Sequence, residues 1–303
     1  MKKILTISVG IPAYNEERNI RSLLDKLLSQ KSENYLLEEI IVISDGSTDN
    51  TVKEINSIND SRIKILKHVE RKGQNVRLNE LIDNFSKKSD ALLLFEADTL
   101  PIGDKYISDI VSEAIDNPEY SVVYVTSVPY PPTTFFEKIS HCAFLLRLEL
   151  ANKCRKYPNL YTTSSSRLIS KEFLKQFRWA SNLHEDSFFY RKAVSSAEKI
   201  LISKKARMYF KLVDNPKDYL LQSGKFQKAS VEEKSHSSVY DLDLSLLDKV
   251  SAICKLLFSR PLFSSLYLVF FTLSRVVNIL LPRYNVFWGI YSSSKTFQER
   301  GEI

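Results

Sequence analysis

Three times between Ile4 and Phe95, a short apolar run gives way to a polar turn and then to apolar residues at helical spacing. Ile4 to Ile11 reads as a strand closed by Pro12-Ala13-Tyr14-Asn15, with Asn15 placed to cap a helix whose apolar face is Ile20, Leu23, Leu24, Leu27 and Leu28. Glu39 to Ile43 leads into Ser44-Asp45-Gly46-Ser47-Thr48-Asp49 and then Val52, Ile55 and Ile58, while Arg62 to Leu66 leads into a helix from Gln74 to Phe85. Such alternation predicts βαβ units with right-handed crossovers, hence an α/β, Rossmann-like, mainly parallel sheet flanked by helices. Open sheets of this kind bind ligands beyond the carboxyl ends of their strands. Tyr14, Asp45, Arg71 and Asp98 are therefore expected along one edge.

The run Ala91 to Phe95 has no polar alternation, as expected of a strand covered on both faces. It stops at Glu96 and Asp98. If the chain stays extended there, these two acids point to the same side. Two such oxygen ligands with open space beyond them suit a hard cation that also binds phosphates. The plain alternative is a solvated strand end.

Farther on, Lys105 to Asp116 predicts a helix and Ser121 to Ser127 a strand, after which Pro129-Tyr130-Pro131-Pro132 forms a rigid break. The break separates residues 1–128 from a second half, 129–235. Phe135 to Lys153 reads as a long helix and Leu160 to Ile169 as a strand-like run rich in small residues. His184 precedes Glu185 and Asp186 at the start of a short helix, where acids complement the helix dipole. Between Lys199 and Lys234 basic residues outnumber acids, which reads as a solvated face, and a helix opens near Lys217.

Residues 236–303 change character. Pro261 to Leu281 is mostly apolar and about 21 residues long, close to the roughly 20 that a spanning helix needs. Arg275 and Asn278 interrupt it, while Lys255, Arg260 and Arg283 flank it with positive charge. Three placements stay open: across a bilayer, in its interface, or docked on the domain. The region is read as a C-terminal helical, membrane-associating segment. The formal charge of +7 fits an anionic substrate or lipid surface, and no nucleic-acid module accompanies it. Cys142, Cys154 and Cys254 are far apart and give neither a disulfide framework nor a metal spacing, so a reducing compartment is expected. Met1-Lys2-Lys3 leads into an apolar stretch too brief for a signal peptide, which points to a cytoplasmic protein at the membrane's inner face.

With these loops in order, the sequence resembles the family 2 glycosyltransferases of the GT-A fold over about residues 4–235. Ile11-Pro12-Ala13-Tyr14-Asn15-Glu16 is similar to that family's first-strand signature, Ser44 to Thr51 to its second, and Arg71 to Asn79 to its third. Glu96-Ala97-Asp98 resembles its metal-binding acidic triplet, and Glu185-Asp186 the pair that supplies its catalytic base. The resemblance implies transfer of one sugar, with inversion, from a nucleotide-diphosphate sugar (UDP- or GDP-linked) to a lipid-linked or membrane-proximal glycan acceptor. It also implies Mg²⁺ or Mn²⁺ as cofactor. Asp98 is then the metal ligand, and Glu96 assists it or contacts ribose. By the same resemblance Asp45 accepts from the base, Glu16 binds ribose, and the Pro12 and Tyr14 backbone lines the base pocket. Arg71 and Lys72 face the base or the diphosphate, and Lys225 holds the diphosphate or a lipid phosphate. Asp186 is implied as the base, with Glu185 positioning the acceptor or sharing the role.

The sequence departs from the family pattern at Ser44 and Glu96, where aspartate is usual. The Gln-x-x-Arg-Trp motif of processive synthases is reduced to Gln222-Ser223-Gly224-Lys225-Phe226, which argues for single transfer. Ser44 and Glu96 support an alternative, a catalytically silent nucleotide-sugar-binding module, which Glu185 and Asp186 oppose. A nucleotidyltransferase would need a glycine-rich basic loop after the first strand, and Pro12-Ala13-Tyr14-Asn15-Glu16 does not provide one.

Overall fold

The computed structural model describes residues 3–154, 163–181, 183–234 and 244–280. In chain order the elements are β1 (Leu5–Ala13), α1 (Ile20–Leu28), β2 (Tyr35–Asp45), α2 (Thr51–Asn56), β3 (Ile63–His68), α3 (Gln74–Asn84), β4 (Ala91–Leu94) and β5 (Thr99–Pro101). They continue with α4 (Tyr106–Asp116), β6 (Val122–Pro129), α5 (Phe135–Lys153), β7 (Thr163–Ser170), α6 (Lys171–Gln176), α7 (Glu185–Ser195) and β8 (Ile200–Phe210). Three helices follow: α8 (Pro216–Lys234), α9 (Leu246–Ser259) and α10 (Pro261–Leu280). Two compact units result, one from residues 3–128 and 163–210, the other from residues 129–154 and 211–280.

The first unit carries an eight-stranded sheet in the order β3-β2-β1-β4-β7-β6-β8-β5. β3, β2, β1 and β4 are parallel neighbours, as the strand–turn–helix alternation requires, so their carboxyl ends share one edge. β7 then runs antiparallel between β4 and β6, and β8 pairs antiparallel with β5. All of β4 is buried because α1, α3 and α4 bring Leu23, Leu24, Leu78, Leu81, Ile107 and Ile110 into the core. A Cβ on Gly10 of β1 would lie 3.0 Å from Leu81 Cδ1, so α3 packs closely against the sheet there.

Two expectations need correction. Asn15 does not cap α1, which begins at Ile20. Asn15 instead takes φ 53° and bridges to the second loop, accepting from Thr48 N at 2.8 Å and donating from its backbone to Ser47 Oγ at 3.1 Å. The chain is not extended through Glu96 and Asp98: it turns at Ala97–Asp98, where Thr99 N and Oγ1 both donate to Glu96 O. The basic stretch after Lys199 is solvated as expected, with Lys204, Lys205 and Arg207 exposed, and it also holds a strand, β8, which buries Ser203, Ala206 and Met208. Adjacent lysines break the strict alternation by which a half-buried strand is recognised.

The second unit is helical. Ile139, Cys142, Val213, Tyr219, Leu256 and Tyr267 form its core, with Phe136 and Phe270 edge-to-face at 5.3 Å. Thr134 and Glu137 form a capping box that starts α5, and Ser245 and Asp248 another that starts α9. α10 buries Ser264, Ser274 and Asn278 together with Tyr267 and packs Phe263, Leu266 and Phe270 on the core, while Leu262, Val269, Leu273, Val276 and Ile279 are exposed. Ser274 and Ser223 share a hydrogen bond of 2.8 Å. α10 is long and apolar enough to cross a membrane, yet a stripe of it packs on α5, α8 and α9.

Candidate active site

Residues 71–75, the end of the loop before α3 and the start of its first turn, reach the polar ends of β1, β2 and β4 at the carboxyl edge of the parallel strands. The Arg71 guanidinium lies 4.0 Å from the centroid of the Tyr14 ring. Lys72 N and Gly73 N donate to the two oxygens of Asp45 at 2.8 and 2.9 Å. Gln74 Nε2 reaches Glu96 Oε1 at 3.3 Å. Asn75 Nδ2 donates to Ala180 O at 2.5 Å and Leu183 O at 2.8 Å, immediately before the acidic pair. One turn later Asn79 makes reciprocal bonds with the backbone of Trp179, at 2.8 and 2.9 Å.

Asp45 ends β2 with no exposed surface, and besides the two backbone donors it accepts from Arg77 Nε at 2.6 Å. A buried carboxylate needs this degree of compensation. Its oxygens fasten the 72–77 segment to β2. Gly46 follows at φ 72°, where a Cβ would sit 2.9 Å from Val69 O. Only glycine combines that backbone with so near a neighbouring chain. The loops after β2 and β3 are thus interlocked. Pro12 and Glu16 are buried beside them, with Glu16 N donating to Thr51 Oγ1 at 2.7 Å and Glu16 Oε2 accepting from Asn19 at 2.7 Å. Arg71 and Lys72 remain exposed.

The acidic pair opens α7, with His184 at the N-cap position. Glu185 is 6% exposed and forms an ion pair with Arg167 Nη2, while Asp186, its side chain 29% exposed, accepts from Arg167 Nη1 at 3.2 Å. Arg167 lies in β7 opposite Leu94, the last residue of β4, so the pair is anchored one strand from the Glu96–Asp98 turn.

Asp98 is half-buried and has no hydrogen bond or ion pair among the described residues. No group of three or more His, Cys, Asp or Glu gathers among those residues. Among the described residues, the turn after β4 carries two hard carboxylates, Asp98 and Glu96. That donor set fits Mg²⁺ or Mn²⁺ held jointly with phosphate oxygens and water. Lys225 lies on α8 in the second unit, and its side chain is outside the described residues. Arg77, Asn75, Asn79 and Arg167 were not singled out from the sequence. Three of them fall within the Arg71–Asn79 motif, so their positions were marked though their partners were not.

The sheet, with its acidic turn after a buried parallel strand, has the GT-A architecture. It superposes on a mannosyltransferase from Pyrobaculum calidifontis, solved in complex with GDP-Man and Mn²⁺, with a TM-score of 0.63 at 15% identity over 92% of this chain and 88% of that one. The chain belongs to glycosyl transferase family 2, whose profile matches residues 8–178, more than half of its length. It is 31% identical over 124 residues to an uncharacterized glycosyltransferase of a Synechocystis species, covering 40% of this chain and 37% of that protein. It is 40% identical over 77 residues to the dolichyl-phosphate beta-glucosyltransferase of Dictyostelium discoideum, covering 22% and 24%. The match spans well under half the length of these two curated relatives.

Proposed function

We propose that this chain transfers one sugar from a nucleotide-diphosphate sugar, UDP- or GDP-linked, to a hydroxyl of a lipid-linked or membrane-proximal acceptor, with inversion at the anomeric carbon. The observation that carries the reading is the segment 71–75 at the entry to α3. It ties the Tyr14 side, Asp45, Glu96 and the entry to the acidic pair into one constellation at a strand-end edge. The acceptor oxygen forms the new bond to the anomeric carbon as the bond to the diphosphate oxygen breaks, and its proton passes to Asp186. Asp98, with Glu96, would hold Mg²⁺ or Mn²⁺, which when bound supplies Lewis-acid stabilisation of the diphosphate. Arg71 and Lys72 bind the donor, Tyr14 and Pro12 border its base, Glu16 faces its ribose, and Asp45 shapes the loop on which they depend. Lys225 is assigned to an anionic group of donor or lipid.

On this reading residues 1–235 form the transferase domain and residues 236–303 a membrane-associating region. The stripe of exposed leucine, valine and isoleucine along α10 supports that assignment, because it is matched to an apolar surrounding. The inner stripe of α10 is engaged by α5 and α8, and on this reading its outer stripe lies in the membrane interface. The dolichyl-phosphate relatives are in keeping with a polyisoprenoid-linked acceptor.

The test is a panel of nucleotide sugars with purified protein, Mn²⁺ and polyisoprenoid-linked acceptors, scoring donor hydrolysis and transfer. One donor is expected to turn over, and Asp98→Asn and Asp186→Asn each to abolish transfer. Full transfer by the Asp186 variant would remove it as the base. Donor binding without hydrolysis or transfer by the wild-type chain would favour the silent module.

A further inference from the structure

We infer that Arg167 separates the roles of the acidic pair: it fixes Glu185 as a buried counter-ion and, through its other terminal nitrogen, aims Asp186 as the single base. This rests on the transferase reading above. The Arg167 side chain is 1% exposed, and its guanidinium stands 4.3 Å from the ring centroid of Phe189 and 5.6 Å from those of Tyr124 and Trp179. A guanidinium keeps its charge in proteins, and a buried charge persists when paired. Tyr124 is not the partner anion, because burial holds its phenol well above the usual range and therefore neutral. Among the described residues, the anions on Arg167 are Glu185 and Asp186.

The two carboxylates receive different surroundings from that one side chain. Glu185 is enclosed and engaged, so an acceptor hydroxyl does not reach it. Asp186 has only Oδ1 held, at 3.2 Å, and no hydrogen bond engages Oδ2 among the described residues. One oxygen sets the orientation and the other stays open to substrate. Neighbouring acids set apart by their environments characteristically take separate roles. Arg167 is itself enclosed, which makes it a positioning residue.

The experiment compares the wild-type chain with Arg167→Lys and with the double variant Arg167→Met/Glu185→Leu, measuring melting temperature, donor Kd, and kcat and KM for transfer. Removing Arg167 alone would strand a buried carboxylate, and the double variant avoids this by removing both charges. The double variant is expected to melt near the wild-type temperature and bind donor with unchanged Kd. Its kcat is expected to fall about 100-fold, the scale of loss when a reacting group is misplaced by about 1 Å. Arg167→Lys keeps the charge without the two-nitrogen fork, and an intermediate kcat at unchanged donor Kd is expected. Wild-type kcat in the double variant would show that Arg167 only neutralises Glu185 and would overturn the inference. If the double variant does not fold, Arg167→Lys decides: wild-type kcat in that variant overturns the inference and a selective fall in kcat supports it. A wild-type chain without turnover on any donor would sink the transferase reading and this inference together, whereas an active wild type with an equally active double variant sinks the inference alone.

Discussion

Asp45 ends one parallel strand and Asp98 lies just beyond another, yet they stand in opposite chemical situations. Asp45 is enclosed, with two backbone donors and Arg77 on its oxygens, whereas Asp98 is half-buried with no partner among the described residues. Asp45→Asn is therefore expected to destabilise the chain by about 3–5 kcal/mol, the usual result of breaking a buried ion pair from one side. Asp98→Asn is expected to change stability by no more than about 0.5 kcal/mol while removing metal-dependent transfer. Urea unfolding of the two variants checks the contrast, and equal losses would refute it. The residue types at the strand ends were legible in the sequence. Their engagement was not, because Arg77 meets Asp45 across 32 residues and Arg167 meets Asp186 across 19, separations that no local pattern encodes.

Among the elements, α3 has the widest reach. Its first turn faces the strand-end loops, while Asn75 and Asn79 fasten the segment from Trp179 to Leu183 across about a hundred residues of sequence. Asn79→Ala leaves the Trp179 backbone N–H and carbonyl without their partner, and a loss of about 1–3 kcal/mol is expected. It should also lower kcat more than donor affinity, because the acidic pair follows the freed segment. Chemical unfolding together with donor titration tests both parts. Helices with a sustained period could be located from sequence: α5 spans Phe135–Lys153, as the spacing of its apolar residues predicts. Short or irregular elements could not. β5 has 3 residues, and β8 sets Lys204 beside Lys205 where alternation would place a buried residue. In both, pairing with each other supplies what local sequence lacks.

At the scale of the molecule, the second unit exposes an apolar stripe on α10 and, on α9, Leu246, Leu247 and Phe258. The length of the apolar run was visible in the sequence, but which side faces outward depends on α5 and α8 and was not. The 303-residue chain is expected to co-sediment with vesicles containing anionic lipid, and Val269→Asp/Leu273→Asp to weaken that binding at least tenfold without altering donor hydrolysis in detergent. Unchanged sedimentation would count against the interfacial reading. The first unit carries a consequence of another kind. β7 lies between β4 and β6, both of which precede it in the chain. Until Ser170 is available, Ala91-Leu92-Leu93-Leu94 has one unpaired edge, and an apolar strand edge is a template for intermolecular pairing. At a synthesis rate of about 5–20 residues per second, the interval from β4 to β7 lasts roughly 4–15 s. Throughout it the nascent chain presents to chaperones, or to its neighbours on a polysome, a sticky edge that the finished protein has sealed.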